Sequence, residues 1–302
     1  MLCIGIDVGG TRTKVGAVDT LSGKVAALEI APTIKDDAHA FMLAIGSTIE
    51  KLQQRLAPAT FVALGIGVPG YIESGVVDTT WGFLPFMDTG CFNLCQALHA
   101  ATGLPCFGDN DARLVALGEA CFGAGAGHRR LLALTLGTGL GVGFVSDQGF
   151  LEAQPRTHMA GHIRLRLDDA ASSSCICGQS GCAEARLCAA GLLTNARGKF
   201  VSPEALFTAA QSQSHAAAGA IERYLADLEL VVHNFALVYA PDRVVVGGGL
   251  ALGLQALGVQ PRTNVRSFTS HRPSVAFAAL GDGAGVVGAA VYAAKAMLGA
   301  AI

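Results

Sequence analysis

The stretch IGIDVGGTRTKVGAVD, residues 4–19, places apolar and small residues on both sides of a turn with two glycines. This pattern predicts a strand, a glycine turn and a second strand. With the apolar segments at 2–8, 14–19 and 25–31, it predicts a β-meander with short connections. The same order returns in RLLALTLGTGLGVGFVSD, residues 130–147. Repetition after about 130 residues indicates an internal duplication.

The segments between and after these units add further elements. Apolar spacing predicts a helix over 39–56, a strand over 61–68, a helix over 217–240 and a strand over 243–249. The last 20 residues, GAGVVGAAVYAAKAMLGAAI, are rich in glycine and alanine and include Lys295. We therefore expect a buried terminal helix there rather than a membrane span.

Composition narrows the class of protein. A chain of 302 residues that is 51% hydrophobic suits two domains of about 150 residues. The net charge of −2 gives no reason to expect nucleic acid or an anionic membrane as a partner. The amino terminus lacks a basic region and reaches Asp7 early, which argues against a signal peptide and for a cytoplasmic protein. An odd number of cysteines, nine, argues against a disulfide framework.

Several glycine motifs match nucleotide-binding patterns in their residue types but lack the strand and helix context that those patterns require. The match to G-x-G-x-x-G at 65–70 contains Pro69 and runs into a strand-like segment, and the match at 283–288 lies too near the end for a βαβ unit. A G-x-x-x-x-G-K-[ST] loop is missing from the sequence. These observations argue against a dinucleotide fold and a P-loop.

The two duplicated turns, 7–14 and 136–141, are the better phosphate candidates. Glycines let main-chain N–H groups approach an anion, and hydroxyl and ammonium groups add donors. A carboxylate at the first turn is explained if Mg²⁺ accompanies the phosphates. Either turn alone is also typical of an ordinary hairpin, but the pair favours phosphate. The candidate residues are Asp7, Gly9, Gly10, Thr11, Thr13, Lys14, Gly137, Thr138 and Gly139.

Six segments together resemble the ROK family of sugar kinases, repressors and open reading frames. They occur in that family's order and cover nearly the whole chain. They are residues 4–19, GIGVPGYIESGVV at 65–77, DNDARLVALGEACFGAG at 109–125, LTLGTGLGVGFV at 134–145, GH at 161–162 followed by CICGQSGCAE at 175–184, and VVVGGGLA at 244–251.

The resemblance implies an α/β protein with the actin-like ATPase (ribonuclease H-like) fold and an interdomain cleft that binds ATP and a sugar. We expect a small domain from 1–112 plus 286–302 and a larger one from 113–285 that carries a zinc-binding loop. Gly248 and Gly249, with GDGAG at 281–285, would border adenosine. A homodimer is implied by the resemblance alone.

The GDND segment at 108–111 supplies acids for phosphoryl transfer. The resemblance implies that Asp111 takes the proton from a sugar hydroxyl, that Asn110 binds neighbouring hydroxyls and that Gly70 lines the sugar. Asp109 stands where many relatives carry Glu. A turn that caps the following helix would explain the same letters, and both interpretations can hold together.

The stretch HMAGHIRLRLDDAASSSCICGQSGCAE, residues 158–184, raises three possibilities: a disulfide, a nucleophile or a metal site. One imidazole and three thiolates fill a closed tetrahedral Zn²⁺ site, and the resemblance implies a structural zinc on His162, Cys175, Cys177 and Cys182. Cys175 and Cys177 are too close in sequence to pair easily. The zinc would fix the loop that presents Glu184 and His162 to the sugar.

Two positions depart from the family pattern. Met159 stands where relatives usually carry a sugar-binding Glu, and Thr79 or Thr80 stands where an Asn often precedes Trp81. Either the preferred sugar differs, with His158 compensating, or the activity is weak.

Three function classes follow. The first is an ATP-dependent kinase of the glucokinase or N-acetylhexosamine kinase type, which transfers the γ-phosphoryl group to a hydroxyl, the 6-hydroxyl by expectation. The second is a transcriptional repressor, which would need a helix-turn-helix before the first strand at residue 2. The third is a non-catalytic sugar or nucleotide sensor.

Overall fold

The computed structural model describes residues 1–146, 150–151, 154–165, 174–261 and 272–299. Asp147 at the end of a predicted strand, part of the cysteine-rich stretch and the last three residues of the predicted terminal helix lie outside this range.

Two sheets of the same design organise the described chain. The first has the strand order β3-β2-β1-β4-β8, with β1–β2 and β2–β3 antiparallel and β1–β4 and β4–β8 parallel. Its strands are β1 (Leu2–Val8), β2 (Arg12–Asp19), β3 (Lys24–Pro32), β4 (Leu64–Val68) and β8 (Cys106–Asn110).

The second sheet repeats this order as β11-β10-β9-β12-β13, with the same alternation of antiparallel and parallel pairs. Its strands are β9 (Leu131–Leu136), β10 (Leu140–Ser146), β11 (Phe150–Leu151), β12 (Arg243–Gly247) and β13 (Ser274–Phe277). The predicted duplication is thus present as two matching sheets.

A third, antiparallel sheet covers one side of the first. It has the order β5-β6-β7 in the described residues and was not foreseen as a sheet, although its first segment reads as strand-like. Its strands are β5 (Tyr71–Glu73), β6 (Val76–Thr79) and β7 (Phe92–Asn93).

Several helices begin at polar side-chain caps that the sequence supplies. Side chains of Asp37, Asn93, Asn110, Ser202 and Ser214 accept backbone N–H groups at helix starts, which satisfies donors that the helix itself cannot. The helices are α1 (Ala38–Arg55), α2 (Leu94–Thr102), α3 (Asp111–Phe122), α4 (Ala183–Leu187), α5 (Ala189–Asn195), α6 (Pro203–Gln211), α7 (His215–Tyr239), α8 (Gly249–Ala256) and α9 (Ala284–Met297), with 3-10 turns at Pro85–Met87, Pro155–His162 and Gly281–Gly283.

The sequence-based elements are largely confirmed. The meander, the two long helices α1 and α7 and the buried terminal helix α9 are all present. No helix among the described residues has both the length and the apolar character needed to cross a membrane.

Helix α9 lies between the halves of the chain. Val286, Val287 and Ala290 of α9 are buried in one apolar cluster with Cys3 of the first sheet and Leu131 of the second. Removal of this apolar surface from water is the main favourable term that holds the two sheets together.

Glycines permit the backbones around α9 to meet. A Cβ atom added at Gly65 of β4 would lie 1.8 Å from the carbonyl oxygen of Ala289, and one at Gly288 would lie 1.7 Å from that of Leu114 in α3. Both distances are far shorter than a van der Waals contact. The seam between β4, α9 and α3 therefore requires residues without side chains.

We predict that Gly65→Ala lowers the free energy of unfolding by at least about 2 kcal/mol, because the backbone of α9 must move away from the sheet. The matched control is Gly46→Ala in α1, where an added Cβ atom meets no atom within 4 Å and should stabilise the helix by up to about 1 kcal/mol. Urea unfolding followed by circular dichroism checks both. Equal stability of Gly65→Ala and the wild type would contradict the packing described here.

Candidate functional site

The main cavity lies where the carboxyl ends of parallel strands from both sheets meet, the usual ligand position in open α/β sheets. Its volume is about 240 Å³. Its lining residues are Gly10, Pro69, Gly70, Trp81, Phe83, Asn110, Asp111, Ala112, Thr135, Leu136, Gly137, Thr138, Gly139, Leu140, Gly141, His158, His162, Ile176, Glu184 and Gly248.

Asn110 joins the end of β8 to the start of α3. Its Oδ1 atom accepts the N–H groups of Ala112 at 3.0 Å and Arg113 at 3.3 Å, and its Nδ2 atom donates to the carbonyl oxygen of Gly70 at 2.9 Å. The cap predicted for this segment is thus present, and the same side chain fixes Gly70 beside the cavity. Both residues line the cavity, and their contact with a sugar stays a prediction.

Asp111 is the first residue of α3 and faces the cavity. Its Oδ1 atom accepts the N–H of Ala112 at 2.8 Å. Burial, reinforced by the negative charge of Asp7, raises the pKa of Asp111 to about 7. A carboxyl group with such a pKa can accept a proton near neutral pH.

Asp109 has a different environment from Asp111. Its side chain is buried and forms a bidentate ion pair with Arg113, at 2.8 and 3.1 Å. Arg113 also donates to the carbonyl oxygen of Gln154 at 2.8 Å. Asp109 therefore stabilises the first turn of α3 through Arg113, while the side chain of Asp111 lines the cavity.

The first glycine turn brings a carboxylate and a cation together. Lys14 Nζ lies 3.4 Å from Asp7 Oδ2 and 3.0 Å from the carbonyl oxygen of Asp282, and both Lys14 and Asp7 are mostly buried. Burial raises the pKa of Asp7, and the charge of Lys14 opposes that shift. Gly10 lines the cavity. This turn can hold a cation and an anion side by side.

Of the predicted residues in this turn, Gly10 alone is among the described lining residues of the cavity; Asp7, Gly9, Thr11, Thr13 and Lys14 are not. Thr13 is buried, and its hydroxyl lies 3.0 Å from that of Thr33. Since Thr13 and Lys14 are neighbours on one strand, their side chains point to opposite faces of the sheet, and only Lys14 is on the side of Asp7. Thr11 is exposed at the turn, and Gly9 donates to the carbonyl oxygen of Arg12 at 3.0 Å.

The second glycine turn lies across the cavity. Gly137, Thr138 and Gly139 all line it. A Cβ atom at Gly139 would lie 3.0 Å from Glu184 Oε1, and Gly248 has φ +89 with a Cβ position 2.4 Å from the carbonyl oxygen of Leu136. Close approach of the backbone therefore explains these glycines. Gly249 begins α8 and is not among the described lining residues.

The cysteine-rich loop gathers four possible metal ligands. Those of His162, Cys175, Cys177 and Cys182 lie within 4.8 Å of one another. The Nδ1 atom of His162 is 3.3 Å from Cys175 Sγ, and the sulfurs of Cys177 and Cys182 are 3.6 Å apart. Ligand sulfurs on a tetrahedral Zn²⁺ with bonds of about 2.3 Å would have a similar spacing. The donor set fits a closed metal site.

Glu184 connects this loop to the cavity. Its Oε2 atom lies 3.3 Å from His162 Nδ1, and both side chains line the cavity. Burial raises the pKa of Glu184 to about 7 and lowers the pKa of His162. The loop therefore presents an acid and an imidazole beside the second glycine turn.

Aromatic rings form another part of the cavity lining, beside His162. His158 is buried between Tyr71, at 6.3 Å between ring centroids, and Trp81, at 5.9 Å. Met159 is 39% exposed and is not among the described lining residues, whereas His158 is. Compensation by His158 for the missing Glu stays a prediction.

Thr79 and Thr80 form hydrogen bonds within the loop of residues 79–84 and are not among the described lining residues of the cavity. The N–H of Trp81 donates to Thr79 Oγ1 at 3.1 Å, and Thr80 is fully buried. Sequence reasoning missed Phe83, which lines the cavity two residues after Trp81. It included Asp282 in the segment expected to border adenosine, but it missed the ion pair of Asp282 with Lys14. The spacing of two aromatic residues around Gly82 is a weak signal for the first of these, and the second arises only from tertiary contact.

Comparison with known proteins decides the family. The family model described as "ROK family" matches residues 3–296. The chain belongs to the ROK family. This ROK chain is 28% identical over 318 aligned positions to the glucokinase of Halalkalibacterium halodurans, with 94% of the chain and 92% of the relative covered. It is 30% identical over 304 positions to the N-acetyl-D-glucosamine kinase of Salmonella newport, with 95% and 97% covered.

A solved structure gives the same result for the fold. The ROK family glucokinase from Streptomyces griseus in complex with glucose and AMPPNP superimposes with a TM-score of 0.80 at 25% identity, over 98% of this ROK chain and 100% of the other. The predicted actin-like ATPase fold is therefore confirmed, and the two matching sheets are its repeated unit.

The raised pKa of Asp111 predicts a pH-dependent effect on stability. In the unfolded chain an aspartic acid titrates near pH 4, but in the folded protein the pKa is about 7. Ionisation therefore favours unfolding as pH rises from about 4 to about 7. We expect Asp111→Asn to raise the free energy of unfolding at pH 8 in magnesium-free buffer, with no gain below pH 4.

Urea unfolding across this pH range measures the difference. The control is Asp36→Asn, which removes an exposed carboxylate before α1 and should leave the pH profile unchanged. Lower stability of Asp111→Asn than of the wild type at pH 8 would be incompatible with a destabilising buried charge.

Proposed function

We propose that this ROK chain is an ATP-dependent sugar kinase that transfers the γ-phosphoryl group to a hydroxyl, the 6-hydroxyl, of a hexose or N-acetylhexosamine. The observation that carries the proposal is the position of Asp111. It faces one cavity that is also lined by Gly10 of the first glycine turn, by Gly137 to Gly139 of the second and by the aromatic residues. The named activities of the glucokinase and N-acetylglucosamine kinase relatives support the reaction class.

Asp111 is the general base. As the sugar oxygen forms its bond to the γ-phosphorus, the bond from that phosphorus to the β-phosphate oxygen breaks and ADP leaves. The hydroxyl proton passes to the Asp111 carboxylate. Its raised pKa, caused first by burial, makes the carboxylate a stronger base than an exposed aspartate.

The phosphates lie between the two glycine turns. Main-chain N–H groups of Gly10 and Gly139, with the ammonium of Lys14, offset the negative charge that the transferred group carries. The N–H groups of Gly9 and Gly137 instead hold the turns in shape, because they donate to the carbonyl oxygens of Arg12 and Gly139. Thr138 adds a hydroxyl donor in the cavity. Thr11 is exposed at the first turn, and Thr13 supports that turn through Thr33. Asp7 would hold Mg²⁺, which supplies further charge neutralisation when bound.

The sugar lies against the other wall. Asn110, Gly70, Glu184 and the ring of His162 face the cavity and bind hydroxyl groups. His158 contributes an imidazole where the family pattern has a carboxylate at the next position. One imidazole offers a single donor or acceptor per nitrogen, so it discriminates among sugars differently from a carboxylate, which accepts several hydroxyl bonds.

Adenosine occupies the side of the cavity toward Gly248 and Gly249. A smaller cavity of about 40 Å³ lies there, lined in part by Gly248, Phe277 and Asp282. Closure of the proposed domains, 1–112 plus 286–302 against 113–285, would bring the phosphate to the sugar and exclude water, which otherwise competes as the acceptor. A homodimer stays a prediction from the resemblance.

His162, Cys175, Cys177 and Cys182 would hold a structural Zn²⁺. Three cysteines and one histidine leave no open position on a tetrahedral ion, so the metal takes no part in the transfer. When bound, the metal would fix the loop beside Glu184. Backbone hydrogen bonds already join the two segments that carry the ligands: the N–H of Ala183 donates to the carbonyl oxygen of Ile163 at 2.9 Å, and that of Leu165 donates to the carbonyl oxygen of Gly181 at 2.7 Å.

Sugar-dependent ADP release tests the function. With Mg·ATP and a panel of hexoses and N-acetylhexosamines, the wild type should turn over at least one sugar, and phosphorus NMR should place the new phosphate on the 6-oxygen. Asp111→Asn should lower kcat by about 10² to 10⁴-fold, the usual contribution of a general base, while Asp36→Asn stays at the wild-type rate. Sugar binding without sugar-dependent ADP release would instead support a non-catalytic sensor.

Zinc content tests the loop assignment. The wild type should contain about one zinc per chain, measured by mass spectrometry of the metal, and Cys177→Ser should lose it and raise the sugar KM about tenfold because Glu184 and His162 lose their support. Cys91→Ser is the matched control, since Cys91 is exposed outside the cluster. Full zinc content in Cys177→Ser would remove Cys177 from the ligand set.

A further inference from the structure

Trp81 occupies a central place on the sugar side of the cavity. Its ring centroid lies 5.9 Å from that of His158 and 5.8 Å from that of His162, and its side chain lines the cavity. It is the single tryptophan of the sequence. The orientation of this indole therefore shapes the surface that a sugar ring would meet.

The backbone that carries Trp81 has an unusual conformation. Trp81 has φ +50 and Gly82 has φ +79. Left-handed backbone is unfavourable for a residue with a Cβ atom, and it persists where surrounding contacts over-determine it. Something outside the two residues must hold them in place.

Hydrogen bonds hold the left-handed conformation of Trp81 and Gly82 within the Trp81 loop, residues 79–84. Five consecutive backbone N–H groups, from 80 to 84, donate within the protein. The acceptors are Asp88 Oδ1 for Thr80, Thr79 Oγ1 for Trp81, Asp88 Oδ2 for Gly82, the carbonyl oxygen of Thr80 for Phe83 and Thr80 Oγ1 for Leu84.

Asp88 provides the contacts that come from outside the loop. Its Oδ1 atom accepts the N–H of Thr80 and, at 2.7 Å, the hydroxyl of Thr80, and its Oδ2 atom accepts the N–H of Gly82 at 2.8 Å. The carboxylate thus binds the residues on both sides of Trp81. Asp88 is not among the described lining residues of the cavity, so it acts on the cavity only through the loop.

We propose that Asp88 is a positioning residue that pre-organises Trp81 as the surface against which the sugar ring packs. The inference rests on the proposed sugar kinase function and deepens it. Aromatic rings bind the apolar face of a ligand with little loss of side-chain entropy. A loop fixed before the sugar arrives lowers the cost of ordering it on binding, and Asp88 thereby raises sugar affinity without touching the sugar.

Two variants of Asp88 separate its contributions. Asp88→Ala removes all three bonds to the carboxylate, and we expect the sugar KM to rise about tenfold with kcat changed less than about threefold. The KM for ATP should stay constant. Asp88→Asn keeps one oxygen acceptor but loses the acceptor for Gly82, so its sugar KM should fall between those of the wild type and Asp88→Ala.

Fluorescence of Trp81 reports the loop directly. Because the chain has a single tryptophan, the emission maximum and acrylamide quenching measure the indole alone. Asp88→Ala should be quenched more strongly than the wild type and should show a smaller change on sugar addition. Asp36→Asn, an equal change of charge at another exposed site, should match the wild type in both measurements.

A double-mutant cycle tests whether Asp88 acts through the indole. In a Trp81→Ala background, Asp88→Ala should change the sugar KM less than twofold, since the two effects are coupled. Unchanged quenching and an unchanged sugar KM in Asp88→Ala, or in Asp88→Asn if the alanine variant does not fold, would overturn the proposal. If the wild type turns over no sugar, the proposed kinase function is wrong. The role of Asp88 is still tested, because stronger acrylamide quenching in Asp88→Ala than in the wild type supports it and equal quenching contradicts it.

Discussion

The close packing of α3 against α9 is the constraint on which the site depends. Gly118 of α3 and Gly288 of α9 allow the two backbones to approach so closely that a Cβ atom at Gly288 would lie 1.7 Å from the Leu114 carbonyl oxygen. Helix α9 also packs on the first sheet through Gly5 and Gly65. This seam holds the sheets at the separation that lets their carboxyl-end loops face each other. The cavity is a consequence of that arrangement.

The chemistry of the cavity follows from two neighbouring residues at one point of the seam. Asn110 uses its side chain to cap α3 and to fix Gly70, so the backbone at the end of β8 is rigid. Asp111, next along the chain, is then held in a half-buried position near the negative charge of Asp7, and both desolvation and that charge raise its pKa. The structural cap and the proposed base are adjacent residues with separate side chains, so the cap and the catalytic interpretation of GDND are compatible.

Much of the fold could be predicted from sequence because it depends on local patterns. Alternating apolar residues identified the meander, helical spacing identified α1 and α7, and the repeat of strand, glycine turn and strand identified the duplication. The three-stranded sheet and the Trp81 loop could not be predicted, since the loop depends on Asp88, which is set by no periodic pattern. Thr13 was expected among the phosphate donors because its hydroxyl lies in the turn by sequence, but strand alternation directs it to Thr33. His158 lines the cavity and Met159 does not; the sequence could not decide between these neighbours, because the direction of a side chain in the turn at Pro155–His162 depends on tertiary packing.

The pH dependence of kcat/KM for the sugar tests the central claim most directly, since this parameter reports the ionisation of the free enzyme. Only the deprotonated carboxylate can accept the hydroxyl proton, so the account predicts that kcat/KM rises with pH through an apparent pKa near 7, the value to which burial raises Asp111. The same rise of kcat/KM with pH should persist in Glu184→Gln, although Glu184 also has a pKa of about 7. A flat profile between pH 5.5 and 8.5, or a rise that disappears in Glu184→Gln, would contradict the assignment of Asp111 as the base.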